Sequence, residues 1–281
     1  MFYRRMMQID VRIIYIVLAL TIMFPMLRPI GFPVPVDPTS EKLYNVIAEL
    51  PPGTPIIYSF DTEPAGTTEN KPAARVLIDL SLKKGHRVIL MGLFTQGPDL
   101  GRMWCNDLFE ANNAVYGVDY IDLGYIAAAN SWYNLARTDI IDSWNNRDYE
   151  GRTLTDFPIM EGISKASDIT AVCTIGTGAP GYIEWTGQWY ATGEVGIILA
   201  AVTGINTPGA LAYYNLGLLR GLAGGLAGGL ANAATLEPCH DVTGSAHGNS
   251  DAQSFGHLAV IAFLILGNIG YFGAKRAGEV S

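Results

Sequence analysis

Two apolar stretches bracket this chain. Residues 13–27 are uncharged and mostly apolar and follow Arg4, Arg5 and Arg12. Residues 258–274 carry no charge and run directly into Lys275 and Arg276. Apolar sequence without a polar face suits a helix surrounded by lipid. The first stretch is short for a span of about 20 residues, but Arg28 can snorkel and 30–32 can complete the crossing. No small-x-small cleavage motif follows it, so it reads as a retained anchor rather than a signal peptide. Short basic flanks stay in the cytoplasm. The pattern therefore predicts a two-pass protein of the cell membrane, both termini cytoplasmic and the main domain, roughly 29–256, extracytoplasmic.

Between the anchors the pattern changes to short apolar runs alternating with amphipathic stretches. Runs at 55–60, 87–93, 118–123, 169–174 and 195–202 read as strands buried on both faces. Helical spacing appears at 40–50, 72–84, 100–112, 128–144 and 182–192, and a glycine-rich helix is expected over 210–236. Strands and helices alternating at these lengths predict an α/β domain. Its sheet is doubly wound, mostly parallel, five-stranded and Rossmann-like, flanked by an N-terminal and a C-terminal transmembrane helix. The expected divisions are 1–28 (tail and anchor), 29–54 (proline-rich exit and short helix), 55–237 (α/β domain), 238–256 (polar linker) and 257–281 (second anchor and tail).

The run 221–230 repeats Gly, Leu, Ala and Gly every four residues. Each glycine inside a helix costs about 1 kcal/mol relative to alanine. The repeat therefore predicts close packing, with Gly221, Gly225 and Gly229 on one face. A domain helix pressed on the sheet or on another subunit competes with a third span using small-residue contacts. Arg220 and the preceding strand favour the domain helix, and a third span would separate the two basic flanks. In the second anchor, Gly267, Gly270 and Gly273 recur at helical spacing and suit helix–helix contact.

Composition sharpens this picture. The chain is 49% hydrophobic and only 16% charged, as a membrane-attached protein is. Its net charge is −8; residues 1–12 carry +2 and 275–281 carry +1, so the part between carries −11. Such a domain repels phosphates, which excludes nucleic acid as a partner. Of three cysteines, Cys173 sits in an apolar run and reads as a core thiol, leaving a Cys105–Cys239 bridge open. No CxxC motif points to structural zinc.

Doubly wound sheets bind ligands outside the carboxyl ends of their strands. Asp61 and Glu63 follow the first strand, two carboxylates able to hold a hard cation or position a water, or else solvated loop groups. Gln96 follows the second. After the fourth, Gly176, Thr177, Gly178 and Gly181 precede a helix and formally satisfy GxGxxG, but not after the first strand, where a dinucleotide site needs it. Glu184, Trp185, Trp189 and Tyr190 lie beside that loop, either as a stacking platform or as helix packing. His240, Asp241, His247, Asp251 and His257 gather in the expected linker at no metal-site spacing. No GxSxG elbow occurs. No catalytic residue is assigned, and no cofactor or metal is expected.

The expectation for function is a structural or scaffold subunit of a larger membrane assembly, with the bilayer, other membrane subunits or further copies of itself as partners. The alternative is an extracytoplasmic ligand-binding domain or enzyme, with the strand-end residues as its crevice wall.

Overall fold

The computed structural model describes residues 3, 8–33, 35–127, 129–229 and 242–278. The chain divides into two compact units, 34–243 and a second formed by 1–33 with 244–281.

The first unit is α/β. Its strands are β1 (Pro55–Asp61), β2 (Arg87–Gly92), β3 (Tyr120–Tyr125), β4 (Ala171–Gly176), β5 (Ile197–Val202) and β6 (Gly221–Gly224). All pair in parallel, in the order β3-β2-β1-β4-β5-β6. The order reverses between β1 and β4, where Tyr58 lies opposite Cys173 and Asp61 opposite Gly176. Both strands are buried along their whole length, which is why they read as unbroken apolar runs.

Alternate residues of β1 feed two cores. Tyr58 and Phe60 join α2 (Pro38–Glu49), α3 (Thr67–Lys83) and α4 (Gly97–Ala111) through Leu43, Leu77 and Trp104. Ile57 faces the other layer, formed by α5 (Ala129–Thr138), α6 (Ile140–Ser143), α7 (Tyr182–Trp185) and α8 (Thr207–Asn215). There Trp132, Tyr133, Trp144, Trp185 and Trp189 pack ring against ring, with centroids 4.9–6.1 Å apart. Of the two roles open to Trp185 and Trp189, stacking platform or helix packing, the structure shows packing: both are buried in this core.

The sheet has six strands, not five, and the extra one comes from the Gly/Leu repeat. The helix expected over 210–236 ends as α8 at Asn215, and Gly217 turns the chain at φ +75°. Residues 221–224 then pair with β5. A Cβ on Gly221 would run into the Leu43 backbone of α2, so glycine is required for an interhelical-scale approach, but of a strand. Gly225 reverses the chain at φ +61° and helix resumes over 225–229, where Gly229 lies against Ala73 of α3. The repeat gives close packing; it does not form one helix face. Residues 230–241, including Cys239, His240 and Asp241, lie outside the described residues. Cys105 is buried in the α4 core, and Cys173 is a buried thiol whose pKa burial pushes up.

The second unit holds α1 (Val11–Leu27) and most of α9 (Val242–Arg276). The expected linker 238–256 is helical from Val242, so His247, Asp251 and His257 lie on α9 itself. Residues 246–276 of α9 are long and apolar enough to cross a membrane, with mean hydropathy 1.8 over the most apolar part; α1 is apolar but shorter, at 17 residues. The helices run antiparallel. Tyr3 packs at Gly273, Ile22 at Gly256, and Met26 and Pro29 at Gly248. Beyond α1 the chain is held by Asp251, whose carboxylate accepts the N–H groups of Ile30 (2.7 Å), Gly31 (2.8 Å) and Phe32 (3.0 Å). Phe32 stacks on Phe255, centroids 5.5 Å apart. Gly267 has open space around it, and Gly270 is buried.

Candidate functional site at the carboxyl ends of the strands

The crossover in strand order puts the loops after β1 and β4 side by side, the usual place for a ligand in such a sheet. Here the two loops bond to each other. Thr177 N–H donates to the Asp61 carbonyl (3.2 Å), and Glu63 N–H to the Thr177 hydroxyl (3.3 Å). Gly66 presses on the Thr177 methyl so closely that a Cβ there would clash. Asn70 of α3 donates to Thr62 (3.1 Å) and to the Gly176 carbonyl (3.2 Å). Asn206 donates to the Thr177 carbonyl (2.7 Å).

Asp61 lies beneath this seam, 1% exposed. One carboxylate oxygen accepts from Ser59 Oγ (2.8 Å) and Leu93 N–H (2.9 Å). The other accepts from Thr174 Oγ1 (2.9 Å) and Trp185 Nε1 (3.1 Å). Burial pushes its pKa above the ordinary carboxylate value, and the four donors offset only part of that. The side chain ties β1, the β2 loop, β4 and α7 together and has no oxygen turned to a ligand. Glu63 is exposed, so the two carboxylates share no desolvated site. Gln96 is also exposed, at the start of α4, and makes no cap bond.

The glycine loop is occupied as well. The amide of Thr177 is spent on Asp61, and that of Gly181 on the Glu184 carboxylate (2.7 Å). The helix that follows, Tyr182–Trp185, continues as a π-helical stretch over Thr186–Tyr190, and its own Glu184 caps its start. These amides therefore make a capped turn, through a cis Ala179–Pro180 bond, rather than an anion cradle. Among the described residues, no group of three or more His, Cys, Asp and Glu is placed to hold a metal ion.

A cavity of about 410 Å³ opens two strands away, at the ends of β2 and β3. Arg102 of α4 reaches across its base to Asp122 of β3 (2.6 Å), also pairs with Asp99, and lies 4.5 Å from the Tyr149 ring centre. Burial raises the Asp122 pKa and works against the Arg102 charge, but Asp122 and Asp99 outweigh it and keep the guanidinium protonated. Asn145 and Asn146 take left-handed φ values of 53° and 49° to bring the loop carrying Arg147 and Tyr149 over this end. Trp144 also lines the cavity, and its buried indole N–H has no partner among the described residues. In the sequence this loop shows only as a polar stretch; the adjacent Asn145-Asn146 pair is the signal for its turn. Asp122 and Arg102 have no shared sequence signature, because a strand and a helix bring them together.

Comparison of the chain with protein-family models, with curated proteins and with solved structures finds no match.

Proposed function

We propose that this is a membrane-anchored α/β protein acting as a structural, partner-binding subunit of a membrane assembly. The antiparallel pair of α1 and α9 carries this reading. From Asp251 to Gly273 α9 rises roughly 33 Å, the thickness of a bilayer's hydrocarbon core. Residues 252–274 contain no Asp, Glu, Lys or Arg, and 13–27 of α1 likewise. The two helices leave Ile13, Ile16, Leu20, Phe24, Leu264 and Phe272 at least half exposed, a surface suited to lipid or to other membrane helices. Arg4 and Arg5 flank the chain end near which Tyr3 meets Gly273, and Lys275 and Arg276 follow directly. This supports a two-pass topology with both ends cytoplasmic and the α/β unit outside. The sealed seam between β1 and β4 supports a non-catalytic role. Purification from native membranes in mild detergent, with mass spectrometry of what co-migrates, tests it. A stable set of partners is expected; a lone monomer refutes it.

A second reading has one observation in its favour. The Trp144 N–H, without a partner among the described residues, lines the same cavity as Arg102 and Arg147 and makes it a candidate for a small ligand rich in hydrogen-bond acceptors. Quenching of tryptophan emission on ligand addition, lost in Trp144→Phe, is the expected signature.

A further inference from the structure

The outward side of α9 has a regular pattern that neither the anchor nor the α/β unit uses. Leu258, Ile261, Ile265, Asn268 and Phe272 follow one another at spacings of three and four residues, the stripe by which two helices pack along their length. The four apolar members are 57, 51, 53 and 63% exposed, and Asn268 is exposed too. The opposite side is the one turned to α1, through Gly256 and Gly273. Asn268 is about 200° round the helix from the buried Gly270.

Asn268 is the anomaly in this stripe. It lies roughly 10 Å along the helix from Lys275, inside the apolar part. Its Nδ2 donates to the Leu264 carbonyl (2.8 Å). Its Oδ1 and second N–H have no partner among the described residues. Water satisfies such a group on a soluble surface; hydrocarbon does not. An apolar stripe by itself gives helices no preference for each other over lipid, whereas an amide supplies one.

We propose that two copies of this chain pair in the bilayer through this stripe, with their Asn268 amides hydrogen-bonded to each other across a two-fold axis. The inference rests on the membrane-anchor reading. A carboxamide carries both a donor and an acceptor, so it complements itself. Copies inserted in the same direction hold residue 268 at the same depth, so two-fold symmetry brings amide to amide. A single Asn in an otherwise apolar seam also selects a register, because any slip buries both amides against alkyl groups.

The test uses the full chain, reconstituted in phosphatidylcholine vesicles at a series of protein-to-lipid ratios, with pairing read by energy transfer between labelled copies. Wild type is expected to dimerise. Asn268→Leu, which keeps the stripe apolar, weakens pairing about tenfold, whereas Asn268→Gln, which keeps an amide, holds it within about threefold. A wild type that stays monomeric, or an Asn268→Leu variant that pairs as well as wild type, overturns the proposal and leaves the anchor standing. Alkaline carbonate extraction of native membranes is the separate check on the anchor: a chain released by it removes the anchor reading, and this proposal with it.

Discussion

Asp61 and Asp251 are both buried carboxylates, one in each unit, and both are saturated by donors from their own chain. Asp61 takes four donors at the reversal point of the sheet; Asp251 takes three consecutive backbone N–H groups after α1. The units differ in what remains unsatisfied. In the α/β unit most of the polar groups where ligands usually bind are consumed internally, and the buried Asn70 Oδ1 is left without a partner among the described residues. In the helix pair the outward apolar side chains are exposed, and the Asn268 amide meets only the Leu264 carbonyl of its own helix among the described residues. A carboxylate at a strand end is therefore not evidence of a site until its donors are counted.

Breaking the Asp61 knot has the largest expected effect. Asp61→Ala strands the Leu93 amide, two hydroxyls and the Trp185 indole, and costs about 3 kcal/mol or more. Denaturant unfolding of the α/β unit's signal measures this. A variant as stable as wild type shows that the Asp61 carboxylate is not a structural tie and makes it again a group free to position a water or cation. Next is Gly221→Ala, whose Cβ meets the Leu43 backbone; a loss of about 1–3 kcal/mol is expected in the same experiment. Had the repeat been one helix, the same change would stabilise it.

Asp251→Ala sharpens the other half. The three amides at 30–32 lose their acceptor, and their hydrogen exchange in bicelles is expected to speed up about tenfold, with the α/β unit unchanged. The smallest effect is a pH dependence. Burial pushes the Asp148 pKa up, but the Arg152 backbone and guanidinium and the Tyr116 hydroxyl outweigh it, and the pKa falls below the ordinary value. Its contribution is therefore present above about pH 4 and lost as pH falls through the folded-state value. Asp148→Asn should flatten the acid limb of stability, read from urea midpoints between pH 5 and pH 3. Asp61 has the opposite sign: its folded pKa is raised, so its titration contribution is complete below about pH 4 and is lost as pH rises.

Much of the fold is legible in the sequence. The five runs expected as strands all form strands, because a chain segment covered on both faces must be apolar throughout and so announces itself. β3 and β4 are displaced by two residues toward the C-terminus, gaining Gly124, Tyr125, Ile175 and Gly176, and β5 begins two residues later than expected, at Ile197. The sixth strand is hidden because glycine, leucine and alanine fit helical spacing, and a four-residue edge strand has too few positions to show alternation. The linker is hidden for the reverse reason. Residues 242–256 are polar and glycine-bearing, yet they continue the helix propagated from the apolar part.

The candidate site was less legible. Residue types and strand ends mark Asp61, Glu63 and the 176–181 loop correctly as positions at the end of the sheet. Whether a carboxylate there is open or sealed depends on Ser59, Leu93, Thr174 and Trp185, which come from four places in the chain. Nothing local ties Trp185 to Asp61, 124 residues away.

By itself, the sequence determined the α/β rhythm, the acidic domain and the apolar helices with their basic flanks, because these follow from hydrophobic periodicity and charge along a local stretch. Only the tertiary structure decided that the sheet has a sixth strand, that the crossover seam is closed, that Arg102 meets Asp122, and that Asn268 lies on the outward side of α9. Each of these is set by which distant groups satisfy or crowd one another, and burial, hydrogen-bond saturation and backbone contact belong to pairs of residues that no sequence window contains.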